Sequence, residues 1–494
     1  MGVASRVQCG RMSKTFRAWK IDEPLLLPVT VQEFVAKDHL ARFLLGVVAE
    51  ELDLGEIMSC YSSEKGQPPF HPAMMTALLL YAYCSGVYSS RRIAKACGER
   101  VDFMSIVALD APDFRTIAEF RRRHLRALAG LFVQVLALCG KAGLTRLGHV
   151  AFDGSKIRAN ACKHKAMSYG RMEARASELE AEVGQWLAAA EAADAAEDRL
   201  HGKDRRGDEL PAWVADKTQR AAKIRAAKAE LEAEAKATAE AKAKAAAEAE
   251  EKRQAEGRKK PGPPAAAPSA EPDPKAQKNF TDPESRIMKS KDGFVQAYNG
   301  QIAVDAQAQV IVAQDVTQSA ADHSQLLPMA DAVAANLGRK PEQASADSGY
   351  CSEANLAGLE GRQIDAYVAT GRARDAVAGG TREAVETEAA PAEAAAATGP
   401  AQEAKAPTRV EAMRAKIKSG GHASPYRLRK QVVEPVFGQI KQARGFRQFL
   451  LRGIEKVRGE WALVCTAHNL LKLAQGRSLS AATTPPQEAS LAAA

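Results

Sequence analysis

The sequence predicts an α/β protein in which an all-α N-terminal segment precedes a mixed core, itself split by a long helical-hairpin insertion. Three observations carry this. Apolar residues recur at three- and four-residue spacing through Phe34, Leu40, Phe43, Leu44 and Val47, and a helical pattern continues to about Leu147. From His149 the period changes to short apolar runs that alternate with helical stretches, as an α/β core requires. Residues 171–256 are dominated by Ala, Glu, Lys and Arg, a composition that favours long helices. The 494 residues suffice for two or three packed domains, and a 46% hydrophobic content rules out a wholly disordered chain.

Taken in order, residues 1–147 read as a helical domain for DNA binding or dimerisation. Its second half is basic, with Arg91, Arg92, Arg115, Arg121, Arg122 and Arg123 among the cations. Arginines on the outer faces of short helices suit DNA phosphates, although a solvated helical face explains them equally well. The core opens over 148–170 with HVAFD (His149 to Asp153), a buried strand ending in an acid. Residues 171–257 form the helical hairpin, divided by GKDRRGDELP at 202–211. Its apolar positions Leu179, Val183, Leu187, Ile224 and Leu231 are too sparse for heptads, which favours an insertion over a coiled coil. Within 171–256, 16 basic against 20 acidic residues make it a poor surface for DNA.

Residues 258–278, rich in Pro and Ala, read as a linker. The core resumes over 279–371 with strands at Gln301 to Val304 and Val310 to Val312, a helix at Leu326 to Leu337, a strand ending at Asp347, a helix at Ser352 to Leu359 and a strand at Ile364 to Ala369. Residues 372–408 read as a disordered Ala/Glu-rich loop. The basic core helices occupy 409–475 and close on an amphipathic helix from Trp461 to Leu473. A disordered tail follows over 476–494.

Composition narrows the function. Lys and Arg number 69 and Asp and Glu 60, so the chain carries +9. Between Arg409 and Arg458 there are 13 basic residues and 3 acids, a local charge of 13 minus 3, or +10. Such a strip suits a polyanion. No apolar stretch reaches the roughly 20 residues of a membrane span, and the first 20 residues lack the apolar core of a secretory signal, which points to the cytoplasm. The eight cysteines form no CxxC pair, so neither a zinc ribbon nor a disulfide framework is expected. No Walker phosphate loop appears, so ATP is not implied.

Three isolated carboxylates stand out. Asp153 ends one hydrophobic run, Asp347 ends another before Ser-Gly-Tyr, and Glu434 lies in the +10 strip beside Val433, Phe437 and Ile440. Taken singly, each has a structural explanation: a turn former, a loop cap, or a glutamate favoured by a helix dipole. Acids at the carboxyl ends of buried strands also sit where α/β proteins place ligand sites. If the three converge they repel one another unless cations hold them, and hard oxygen ligands suit Mg²⁺ or Mn²⁺. Two ions about 3.5 to 4 Å apart can activate an attacking oxygen and stabilise a leaving one in phosphodiester displacement. Asp322 reads as a cap for the helix from Gln325, with a place beside the site as the alternative. Pro435 implies that the helix carrying Glu434 starts close to that residue.

The segments FDGSKIRANA (Phe152 to Ala161), ADSGY (Ala346 to Tyr350) and VVEPVFGQIKQARGFRQFLLRG (Val432 to Gly453) resemble the signature blocks of bacterial insertion-sequence DDE transposases. HPAMM at His71 to Met75 and LVCTAHNLLKL at Leu463 to Leu473 extend the resemblance over most of the chain. It implies an RNase-H-like core in which Asp153, Asp347 and Glu434 are both the catalytic triad and the ligands of two Mg²⁺ ions, with Mn²⁺ able to substitute. It further implies a Tyr-x2-Arg-x3-Glu-x6-Lys pattern about the glutamate. Lys441 stands at the expected place, and Tyr426 and Arg429 keep their mutual spacing, but one extra residue separates Arg429 from Glu434, which puts Lys430 at the expected offset. The implied phosphate contacts are Tyr426, Arg429, Lys430, Lys441, Arg444, Arg447 and Arg452. The implied partners are double-stranded DNA, at the element's terminal inverted repeats and at the target, and a second copy of the chain; the implied setting is a nucleoid-associated cytoplasmic protein. The implied activity is strand cleavage at the element ends followed by strand transfer. A non-catalytic DNA-binding protein and a helical scaffold are the alternatives.

Overall fold

The computed structural model describes residues 16–23, 30–62, 67–162, 165–201, 212–255, 269–290, 293–371 and 407–483. The expected hairpin break at 202–211, most of the linker, nearly all of the 372–408 loop and the last part of the tail lie outside the described residues. The chain divides into two compact units: one of Met1–Ile157, Asn299–Leu451 and Glu455–Ala494, the other of Arg158–Tyr298 and Arg452–Ile454.

The first unit begins with helices α1 (Leu40–Gly46), α2 (Gly55–Met58), α3 (Pro72–Cys84), α4 (Ser90–Glu99), α5 (Val101–Val107), α6 (Phe114–Arg123) and α7 (Leu125–Lys141). Local chemistry explains their starts. Pro72 opens α3 with φ already set for a helix, and His71 Nδ1 accepts the Ala73 N–H. Asp113 caps α6 by accepting from the Arg115 and Thr116 N–H groups. Every residue of α3 is buried. Arg121, expected on an outer face, is buried instead, with Nη1 donating to Tyr88 O at 2.9 Å.

Next in chain order is β1 (His149–Arg158), which passes into the second unit. That unit holds β2 (Ala166–Ser168), α8 (Tyr169–His201), α9 (Ala212–Ala255), β3 (Gln277–Asn279), β4 (Arg286–Ser290) and the first half of β5 (Gly293–Asp305). Helices α8 and α9 pack through Met172, Ala176, Leu179, Ala221, Ile224, Ala227 and Leu231. Small alanines let the backbones approach where few large apolar residues are available. Strand β2 pairs antiparallel with β3, and β4 with the start of β5.

The rest of β5 returns to the first unit, followed by β6 (Ile311–Thr317), α10 (Leu326–Leu337), β7 (Gln343–Ala346), α11 (Glu353–Gly361), β8 (Asp365–Val368), α12 (Arg409–Gly420), α13 (Leu428–Gly438) and α14 (Ile454–Thr483). The strand order is β6-β5-β1-β7-β8. Strands β5 and β6 are antiparallel, whereas β1, β7 and β8 are parallel. This mixed sheet with its many helices is consistent with an RNase-H-like core carrying helical domains.

Several expectations are corrected here. Strand β1 does not stop at Asp153 but runs on to Arg158; what stops is its neighbour β7, whose pairing ends at Phe152 opposite Ala346. The N-terminal helices do not separate from the core. Cys84 Sγ donates to Ala467 O and Cys139 Sγ to Asn469 O, so α3 and α7 pack on α14 within one unit. Helix α14 is no amphipathic surface helix and extends into the expected tail, to Thr483. It is buried on all sides from Gly459 to Leu470. Its polar residues are satisfied internally: Glu460 accepts the Leu450 and Leu451 N–H groups, and Asn469 pairs with both backbone groups of Ile311. Trp461 fills the core beside β5, so that a Cβ on Gly300 would stand 3.2 Å from its ring. No single described helix is long and apolar enough to cross a membrane.

Candidate active site

Sheet register places the two aspartates. Because Phe152 pairs with Ala346 on adjacent parallel strands, Asp153 and Asp347 are the next residues in line, side by side where β7 leaves the sheet. The third acid comes from α13. That helix begins at Leu428, six residues before Glu434, with Pro435 inside it, which corrects the expected start. A proline there removes the N–H that would bond the carbonyl of residue 431. Gln309 Nε2 donates to Gln431 O at 3.0 Å instead, so the orphaned carbonyl is satisfied.

One guanidinium collects all three acids. Arg429 Nη2 lies 3.2 Å from Asp153 Oδ2 and 3.6 Å from Asp347 Oδ2, and its Nη1 lies 3.9 Å from Glu434 Oε1. The Arg429 side chain is 10% exposed, Asp153 15%, Asp347 38% and Glu434 55%, so the cluster opens toward solvent on the Asp347 and Glu434 side. Burial pushes the Asp153 carboxyl up to about 6, against the pull of Arg429, and the nearby Asp347 and Asp322 add to the rise. The remaining aspartate oxygens are held by the backbone: Asp153 Oδ1 accepts from Gly154 N and Asp347 Oδ1 from Gly349 N, both at 2.9 Å. Asp347 is thus a loop cap and a member of the cluster at once.

Beside the acids lies a polar platform. Asp322 accepts from Lys156 Nζ at 3.1 Å, Asn299 Nδ2 at 2.5 Å and Gln301 Nε2 at 2.7 Å, and the Tyr350 hydroxyl donates to Gln301 Oε1. Gly154 rests on it so closely that a Cβ there would stand 2.6 Å from Asp322 Oδ1. Only the backbone carbonyl of Asp322 serves the helix start, accepting from Gln325 N, so the alternative reading of Asp322 is the one the geometry favours. Asn299 and Gln301 went unselected in the sequence. Their signal is two amides two residues apart, on one face of the strand, a face that a buried strand keeps polar only when it has partners for them.

The expected DNA-facing residues separate into groups. Tyr426 is half-buried near the cluster, its hydroxyl raised by burial first and by all three acids in lesser part. Lys430 and Arg447 are exposed. Lys441 points back to the core, with Nζ on Ser155 Oγ and on Lys156 O, and so ties the turn that follows α13 to the strand that carries Asp153. Arg444 is corrected: burial lowers its basicity, and Nη2 donates to His468 Nδ1 at 3.3 Å instead of reaching a surface. Arg429 is likewise turned onto the acids. Arg452 belongs to the second unit, where Nε donates to Asn160 O.

Among the described residues, no three His, Cys, Asp or Glu side chains are spaced to hold a metal ion. In chemical kind, though not in spacing, the donors suit a divalent ion. Three carboxylates supply hard oxygens, and a single cation, the Arg429 guanidinium, already stands within 3.9 Å of each.

The mixed sheet with its helices is consistent with the RNase-H-like core of DDE enzymes. Two family models match the chain: Transposase domain (DUF772) over residues 29–123, and Transposase DDE domain over residues 398–474. The first spans α1 to α6; the second contains Arg429, Glu434 and Lys441. Together they support an insertion-sequence DDE transposase, a family of enzymes that act on DNA and depend on divalent metal. No curated protein and no solved structure matches the chain.

Proposed function

We propose that this chain binds the ends of an insertion sequence and catalyses their cleavage and transfer to target DNA with Asp153, Asp347 and Glu434 as its catalytic triad. The observation that carries this is the meeting of three acids from distant parts of the chain around one cation. Such convergence is electrostatically unfavourable and is tolerated where chemistry needs it. Asp153, Asp347 and Glu434 would together hold the divalent ions. When bound, Mg²⁺ or Mn²⁺ supplies activation of the attacking oxygen and stabilisation of the leaving one. The protein's own task is to fix the acids: the Gly154 and Gly349 N–H groups hold one oxygen of each aspartate, and Lys441 braces the strand. Exposed Lys430 and Arg447, with Tyr426 and Arg452, would hold backbone phosphates. Two ends are joined in one reaction, so two chains on DNA are expected, which light scattering of the DNA complex would measure.

The deciding experiment is a Mg²⁺-dependent cleavage assay on DNA copied from the borders of the reading frame. Asp153→Asn, Asp347→Asn and Glu434→Gln should each lose cleavage and keep DNA binding. A variant that still cleaves removes that residue from the triad; a wild-type chain that binds these ends without cleaving them leaves a DNA-binding protein.

A further inference from the structure

Arg429 makes three ion pairs, yet it is not held as a structural arginine is. Arg362 in the same unit shows the contrast: its Nε and Nη2 grip both oxygens of Asp331 at 2.7 and 2.6 Å. The nearest acids to Arg429 lie at 3.2, 3.6 and 3.9 Å, longer than the 2.7–2.9 Å typical of a charge-assisted bond. Its Nε is buried and meets no hydrogen-bond partner among the described residues. The guanidinium is therefore retained by the charge of three separate acids more than by fitted geometry. It also faces the oxygens a metal would need. Oδ1 of Asp153 and of Asp347 is taken by a backbone N–H, and Oδ2 of each is the atom turned to Arg429.

A divalent ion and a guanidinium drawn to the same two oxygens repel each other, so binding of one disfavours the other. A displaced Arg429 needs an anion of its own, and its planar fork matches a phosphate. We infer that Arg429 is the resident counter-ion of the three acids, exchanged when DNA arrives: the metal takes the carboxylates and a backbone phosphate takes the guanidinium. This rests on the proposed reading of the acids as metal ligands. It makes Arg429 a positioning residue that keeps the acids gathered in the free protein and ties metal binding to the presence of DNA. Linkage makes the effect mutual, so DNA tightens metal binding and metal tightens DNA binding by the same factor.

The test is calorimetric titration of Mn²⁺ into the full-length protein, alone and with a border-sequence duplex, with the duplex alone as reference. In the wild type, the duplex should tighten Mn²⁺ binding about tenfold. Arg429→Gln should bind Mn²⁺ about tenfold more tightly than the wild type without DNA, and should gain less than about twofold from DNA. Arg362→Gln removes a cation of the same unit that is paired with Asp331 and touches none of the three acids, and should behave as the wild type, which separates exchange from a general change of field. Unchanged Mn²⁺ affinity in Arg429→Gln, with binding lost in Asp153→Asn, overturns the exchange and leaves the metal reading intact. Binding undiminished in Asp153→Asn overturns both. If circular dichroism shows Arg429→Gln to be misfolded, a wild-type crystal soaked in Mn²⁺ decides: Arg429 still paired with Asp153 beside a bound ion overturns the exchange.

Discussion

Lys278 on β3 and Arg429 on α13 lie in different units, and both are cations nearly sealed from water among carboxylates. Lys278, 4% exposed, reaches Glu230 at 2.5 Å and Glu234 at 3.0 Å, and Arg286 adds a 2.9 Å contact to Glu234. Those glutamates are four residues apart on one helix, so the lysine clamps α9 to a strand through short bonds. The acids around Arg429 come instead from a strand, from the end of its parallel neighbour and from its own helix, at longer distances and with Nε unpaired. Neighbouring acids on one helix face need no special fold to meet, and their pairing serves stability. Acids brought together from positions 153, 347 and 434 meet only because the fold brings them there. Holding them costs repulsion that an apolar cluster would avoid.

The widest separation between the two regions is expected in cleavage. Asp153→Asn should lower the end-cleavage rate by roughly a thousandfold or more, the scale of losing a group that stabilises transition-state charge. Glu230→Gln should leave the rate within about twofold, since its partner Lys278 clamps a helix and touches no acid of the cluster. Equal losses in the two would erase the distinction. Stability should then rank the other way. Lys278→Ala breaks two ion pairs on a buried cation and should cost about 2 kcal/mol in urea denaturation, because its glutamates are left half-exposed rather than sealed.

The pH dependence follows from Asp153. Its folded carboxyl titrates at about 6 against an ordinary 3.8, so the folded chain holds this proton more tightly than the unfolded chain does. The contribution favours folding below pH 4 and is lost as pH rises to 6, a change of about 2 to 3 kcal/mol in metal-free protein. Asp153→Asn should flatten that fall in a melting series. The smallest effect is in DNA binding. Lys430→Ala should reduce the slope of log affinity against log salt by about 1. Arg444→Ala should leave the slope unchanged and lower the melting temperature, since its guanidinium is packed on His468.

Much of the core was legible from local pattern. The α10 helix spans the residues its apolar spacing predicts, β7 ends one residue before the expected Asp347 and β8 lies within the run at 364–369, whereas β6 starts on the run at 310–312 and continues to Thr317. Other features depend on neighbours distant in sequence. Pro435 reads as a helix start, yet α13 passes through it because Gln309 supplies the missing donor. The polar residues of α14 suggest a solvent-facing side, yet strand edges and backbone groups satisfy them inside the core. Arg444 and Lys441 lie in the strip of highest positive charge, and nothing in their spacing shows that they turn inward while Lys430 turns out.

The amino-acid order by itself determined where strands and helices alternate, where charge accumulates and which acids stand alone, because periodicity, composition and residue type act over a few neighbours. The tertiary structure decided that Asp153 and Asp347 stand in register, that Asp322 faces the site, and that Arg429 occupies the space between three acids. These are relations between positions tens to hundreds of residues apart, set by strand pairing and by charges that the packed chain forces to find one another.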